Sequence, residues 1–344
     1  MTKLWTRTAL TLALGALGGA AFALLGLPLP WLLGAMLTVT GATLAGLDLT
    51  VALRMRLAML IVIGVLIGSA FDRSMLGELH RWVWSLAALP LYVVVIAGAM
   101  MVYLRRAAGF DRTSAYFAAS PGGLSEMILL SDRFGADVRR VSLVHALRVL
   151  LLVTAIPFLV DQLGLTAPQM APRPAPGAAE SLLLVTTGVA GALLGRLARL
   201  PNAILLGPML ASAAVHVAGW SESHPPDAVV AFAQVVIGAA VGTRFTGLRF
   251  GEVLATLGHG SVMTAMMVAL GAGFALAIHP LAGLALLPLL IAYVPGGVAE
   301  MALVALALGI DPAFVTTHHA VRIALVVGLA SVLFTRVVPA HERH

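Results

Sequence analysis

Apolar blocks long enough to cross a bilayer alternate along this chain with short polar turns. They lie near 8–26, 29–47, 55–71, 82–104 and 138–160, and again near 181–199, 201–219, 228–246, 256–278 and 313–337. Two further apolar stretches, 113–134 and 283–308, are interrupted by Pro-Gly-Gly at 121–123 and 295–297. Proline lacks the N–H donor that a helix interior needs and clashes with the preceding turn, so a helix cannot run through unbent. The pattern predicts ten spanning helices and two broken or re-entrant elements.

The blocks repeat. Sliding the chain by 174 residues lays 121–148 on 295–322 without a gap, with twelve identities from Pro121 to Arg148. With small gaps the match extends upstream, where "LLGAML" (32–37) meets "LLGPML" (205–210) and Gly64 and Gly68 meet Gly238 and Gly242. Such self-similarity predicts two structural repeats, 1–161 and 180–344, joined by a proline-rich linker at 162–179. The N-terminus, with basic residues, an apolar run and Ala-Phe-Ala, has the look of a signal peptide. It is better read as a first transmembrane helix, because Gly15 and Gly18 have counterparts in Gly188 and Gly191.

Composition sharpens the fold class. Only 10% of the residues are charged and 60% are hydrophobic, with a mean hydropathy of +1.01. Soluble domains carry about a quarter charged residues, so the chain is expected to be an all-α polytopic membrane protein. There is no cysteine, which excludes disulfides, thiolate metal sites and a cysteine nucleophile. The basic excess is mostly arginine in short loops, an insertion signal rather than a nucleic-acid surface. If each Pro-Gly-Gly element enters and leaves on one side, sixteen of the nineteen loop Lys and Arg share a face, leaving Arg73, Arg81 and Arg173 opposite. Five crossings per half then make the repeats inverted, with both termini cytoplasmic.

The breaks are the candidate chemistry. Irregular backbone at membrane depth is tolerated where it lines a cavity, and paired breaks in inverted halves point to a binding site near the midplane. Gly122, Gly123, Gly296 and Gly297 have access to positive φ. Helix N-termini that follow the breaks favour an anionic group. Ser120 and Ser125 add hydroxyls in the first half only, since Val294 and Ala299 stand at the matching places. Glu126 and Glu300 fall in the first helical turn, where a carboxylate suits the helix end; inside a membrane they also suit proton or cation coupling.

His145 and Arg148 lie three apart on one face, as do His319 and Arg322. An arginine inside an apolar helix needs a partner. Two readings stand open: an ion pair with Glu126 or Glu300, or direct binding of a substrate carboxylate or phosphate. The candidate substrate set is Ser120, Gly122, Gly123, Ser125, Gly296, Gly297, Arg148 and Arg322, and the candidate coupling set is Glu126, Glu300, His145 and His319. Asp137 and Asp311 read as helix caps, and the His318-His319 step is a weak metal signal. Methionines 100, 101, 263, 266 and 267 read as packing residues. No nucleotide cradle or hydrolase constellation occurs, so neither enzyme activity nor a cofactor is expected.

The paired "SPGG-x-x-EM" and "VPGG-x-x-EM", each followed by "G-x-D" and "H-A-x-R", together with "PWLLG" at 30–34, resemble the AbrB family of bacterial inner-membrane proteins. The resemblance covers nearly the whole chain. Members carry names such as ammonia monooxygenase or transcriptional regulator. This sequence holds no metal constellation for the first and no soluble DNA-binding segment for the second. The resemblance places the chain in the cation:proton antiporter and anion transporter superfamily, beside the 2-hydroxycarboxylate transporters, which move a substrate-binding core against a scaffold. It implies hairpin tips at Gly122, Gly123, Gly296 and Gly297 and an ion-coupled secondary transporter of a small anion, or else a membrane regulator using the same pocket. The expected partners are the lipid bilayer and a small-molecule or ion substrate, without nucleic acid, and a homodimer is compatible.

Overall fold

The computed structural model describes residues 2–71, 73, 75–162, 164 and 176–338. Most of the proline-rich linker lies outside the described residues, as does the side chain of Ser125. Every regular element among them is helical. In chain order they are α1 (Thr2–Leu24), α2 (Pro30–Leu44), α3 (Leu53–Ser69), α4 (Met75–Arg106), α5 (Arg112–Ala119), α6 (Leu124–Arg133), α7 (Val138–Gln162), α8 (Ala178–Leu197), α9 (Ala203–Val217), α10 (Asp227–Gly242), α11 (Phe250–Ala282), α12 (Leu286–Tyr293), α13 (Val298–Ala307) and α14 (Pro312–Val337), with one 3-10 turn at Thr243–Phe245. Seven of these helices are long and apolar enough to cross a membrane. The chain is an all-α polytopic membrane protein.

Ten of the helices answer the ten expected spans, but three come out shorter than the apolar runs that predicted them. α2 and α9 have 15 residues each and α10 has 16. The trimming has a backbone cause. Leu29 and Asn202, ahead of α2 and α9, both adopt left-handed conformations at φ 46 and φ 48, and Gly46 and Gly219 close the other ends at φ 96 and φ 77. The apolar run continues past the helix at both places, so hydropathy alone overestimates its length. α4 and α11 go the other way, with 32 and 33 residues. At 1.5 Å per residue they reach roughly 48–50 Å, well beyond the ~30 Å hydrocarbon core.

Two compact units form. The first contains Met1–Leu79, Val153–Leu248 and Ala299–Thr316. Here α1 packs on α2, α8 on α9, α3 on α9 and α10 on α2. The contacts run through glycines, as close approach between membrane helices requires. A Cβ on Gly64 of α3 would stand 2.6 Å from the Leu205 carbonyl of α9, and one on Gly242 of α10 would stand 2.9 Å from the Met36 carbonyl of α2. Gly18 faces Gly34 and Gly191 faces Gly207 in the same manner. Each half thus lends its third helix to the second helix of the other half. Ser212 adds a hydrogen bond across one of these contacts, donating to the Val65 carbonyl at 2.9 Å.

The second unit contains His80–Leu152, Arg249–Val298 and Thr317–His344. It carries both Pro-Gly-Gly breaks and most of α4, α7, α11 and α14. The elements around the breaks keep the 174-residue register: α5 and α12, α6 and α13, and the starts of α7 and α14 all coincide under that shift. An aromatic cluster of Tyr116, Phe117, Phe134 and Phe334 packs beside the first break, with ring centroids 4.5 to 5.8 Å apart.

Candidate functional site

Each break joins two half-helices through extended backbone. α5 stops at Ala119 and Ser120 takes φ −64, ψ 128; α12 stops at Tyr293 and Val294 takes φ −63, ψ 126. The chain stays extended at Gly123, with φ −69 and ψ 143. None of Gly122, Gly123, Gly296 and Gly297 adopts positive φ. The expectation of left-handed glycines is therefore corrected: the break uses the small size of glycine. A Cβ on Gly122 would come within 2.9 Å of Val326 Cγ1 and 3.0 Å of Met127 Cε, and one on Gly123 would collide with the Glu126 carboxylate folded over it.

The end of a helix leaves carbonyls without intrahelical partners. In the first break Arg148 donates to the Ser120 carbonyl at 3.2 Å and the Gly122 carbonyl at 3.1 Å. In the second, Arg322 donates to the Val294 carbonyl at 3.4 Å and the Gly296 carbonyl at 3.0 Å. His145 pairs with the Phe117 carbonyl at 3.0 Å and His319 with the Ile291 carbonyl at 3.1 Å. Every one of these bonds maps onto its counterpart under the 174-residue shift. Cations at helix C-termini also face the negative end of the dipole.

Arg322 does more than its counterpart. Its Nε donates to the Pro121 carbonyl at 3.0 Å, so one guanidinium holds carbonyls from both breaks and brings them side by side. It also contacts His319 Nδ1 at 3.3 Å. Both arginines are buried, Arg148 at 1% and Arg322 at 0% exposure.

The expected arginine–glutamate ion pairs are not what the structure builds. Among the described residues neither Glu126 nor Glu300 forms an ion pair. The arginines turn to carbonyl oxygens because these are the acceptors that a helix break creates. Glu126 is half-buried, in the first turn of α6; Glu300 is 7% exposed, in the first turn of α13. The Arg244 charge reaches Glu300 within the first unit. Ser120 is buried and its hydroxyl donates back to the Tyr116 carbonyl at 2.8 Å.

The second break has supports that the sequence reading missed. Tyr92 donates to the Tyr293 carbonyl, and Tyr293 donates to the Ser85 carbonyl at 2.7 Å. His318 Nε2 pairs with the Ser85 hydroxyl at 2.8 Å. No group of three His, Asp or Glu side chains with metal-ligand proximity occurs among the described residues. The first break instead borders an apolar cavity of about 220 Å³, lined by Tyr116, Ser120 and Pro121 together with Val93, Met101 and Val326.

A family model described as "Transition state regulatory protein AbrB" matches residues 31–338. The chain is 27% identical to the protein YhjN of Bacillus subtilis (strain 168), over 92% of this chain and 90% of that one. It is 26% identical to an Escherichia coli (strain K12) protein whose name marks it as a proposed regulator, AbrB, over 86% of each chain. No solved structure matches.

Proposed function

The chain belongs to the AbrB family, and from that premise we propose that it is a secondary transporter of a small anionic solute, ion-coupled and working by alternating access in a bacterial inner membrane. The observation that carries the reading is the pair of extended breaks held together by Arg322. Helices broken at matching places, with their irregular backbone gathered at one point, are how membrane transporters build a binding site. Carbonyl dipoles orient the buried Arg322 guanidinium but do not cancel its charge, so an anion gains by approaching it. The first-turn N–H groups of α6 lack intrahelical acceptors and add donors for the same ligand. In this reading Glu126 and Glu300 bind the coupling proton or cation, because a carboxylate without an ion pair in a membrane interior is costly unless it serves such a role. In this reading the arginine-rich loops favour cytoplasmic termini. No chemical conversion is proposed.

The family description and the relative named as a proposed regulator favour a second reading, in which the same site senses a solute without moving it. Reconstituted vesicles separate the two. A transporter accumulates a labelled anion that also stabilises the detergent-solubilised protein. Binding without any flux would leave the sensor and overturn the transporter.

A further inference from the structure

The repeat makes an internal control available. Residues of the second unit related by the 174-residue shift occupy matching places, so a difference between them marks something one half has and the other does not. One such difference is a hollow of about 240 Å³ between α4, the start of α7 and the start of α11. Its lining includes Phe110, Arg140, Val144, Thr256, His259 and Gly260. In the other half the counterparts of Thr256, Gly260 and Met263 are Trp82, Leu86 and Leu89. Trp82 and Leu89 are buried, at 5% and 0% exposure. The counterparts of Val144 and His259 are His318 and Ser85, which bond to each other at 2.8 Å. One half fills this place with bulk and a closed hydrogen bond; the other leaves it open and lines it with donors.

The donors are specific. Tyr103 pairs with His259 Nδ1 at 3.0 Å. When the hydroxyl donates there, Nε2 carries the proton and the imidazole is a donor. Arg140 holds the Gly109 carbonyl at 3.4 Å and lies over the Phe110 ring at 5.4 Å. Its contact with Asp137 is a long 3.6 Å, and a guanidinium has five N–H donors to distribute. The matching carbonyl, Gly283, is held instead by Arg81, which has alanine at its own counterpart, Ala255. The arginine has therefore moved, between the halves, to the side where the hollow is. Two acids flank the hollow: Asp137, in that long contact with Arg140, and Glu252, which Arg139 engages at 2.6 Å. Phe250 and Leu254, on the first turns of α11, are exposed apolar residues suited to lipid contact.

We infer that this hollow is a binding site for a phosphate group, held by Arg140 and His259 and separate from the breaks. Arginine and an imidazole N–H around a pocket of this size match the oxygens of a phosphate, and the exposed apolar residues beside it suit a phospholipid whose headgroup supplies that phosphate. The inference does not rest on the transport reading.

The test is thermal stability of delipidated protein in neutral detergent, titrated separately with phosphatidylglycerol, phosphatidylcholine and inorganic phosphate. Ligands that bind only the folded state raise the melting temperature. Phosphatidylglycerol alone raising it identifies a lipid headgroup; inorganic phosphate doing the same identifies a soluble ligand. In either case Arg140→Gln weakens the apparent affinity about tenfold or more, as loss of a charge-assisted hydrogen bond requires. Arg140 suits this test because its side chain is 53% exposed, so the variant folds. Thr256→Trp, which copies the other half, abolishes the shift. If no phosphate compound stabilises the protein, or stabilisation survives both substitutions unchanged, the site does not exist.

Discussion

The two breaks share their backbone path and their arginine–carbonyl bonds, yet they are not equally constrained. The second break is held by Arg322, Tyr92 and, through Tyr293 and Ser85, by His318. Its glutamate is buried. The first break has alanine, Ala119, where the second has Tyr293, and valine, Val144, where the second has His318. Its glutamate is half-buried and it borders an apolar cavity. The same Pro-Gly-Gly motif sits in different surroundings: the second break has more side-chain supports and the first borders a cavity. In a transporter that difference suits a fixed wall and a gate.

The anchor should fail hardest. Arg322→Ala removes the donor from three carbonyls drawn from both breaks, and an orphaned buried carbonyl costs about 1–3 kcal/mol. Arg148→Ala orphans two carbonyls of one break. Thermal unfolding should therefore show a larger loss for Arg322→Ala than for Arg148→Ala. Equal losses would remove the claim that Arg322 couples the breaks. Next in size is Gly122→Ala, whose methyl meets Val326 Cγ1 and the end of Met127; overpacking of this kind costs about 1–3 kcal/mol. Gly123→Ala instead displaces the Glu126 carboxylate, and should disturb ion coupling in a transport assay more than it disturbs the melting temperature.

His318→Val gives the second half the residue of the first. It breaks the bond to Ser85 and should destabilise by about 1–2 kcal/mol, loosening the second break toward the first; unchanged stability would mean that the anchoring network is idle. Ser120→Ala should do least, within about 0.5 kcal/mol, because that hydroxyl only bonds back to its own helix. A large loss of ligand binding in Ser120→Ala would instead assign its hydroxyl a direct part in the substrate site.

Much of this was legible in one dimension. The breaks, the register of their half-helices and the histidine–arginine faces follow from local rules about proline, glycine and helical spacing. The ends of α2 and α9 were not, because left-handed Leu29 and Asn202 sit inside runs whose hydropathy never falls. The carbonyl partners of Arg148 and Arg322 were in neither open reading, for a different reason. A sequence shows charged side chains and so suggests glutamates, whereas a break creates carbonyl acceptors that no residue letter displays. Gly64, Gly68, Gly238 and Gly242 stood out as repeats, but their reciprocal packing on α9 and α2 needed the fold. The support of the second break by Tyr92 and Ser85 joins residues about 200 positions apart, with no motif to announce it.

The anion site proposed at the paired breaks is organised by Arg322. Its most direct test is the melting temperature of the purified protein titrated with a panel of carboxylates and phosphates, in the native chain and in Arg322→Lys, with Arg140→Gln as the control for the hollow. Lysine keeps the charge but lacks the fork that spans both breaks. One anion class should stabilise the native chain, with the effect lost or weakened at least about tenfold in Arg322→Lys and persisting in Arg140→Gln. Stabilisation of equal strength in Arg322→Lys, or by no anion at all, would contradict it.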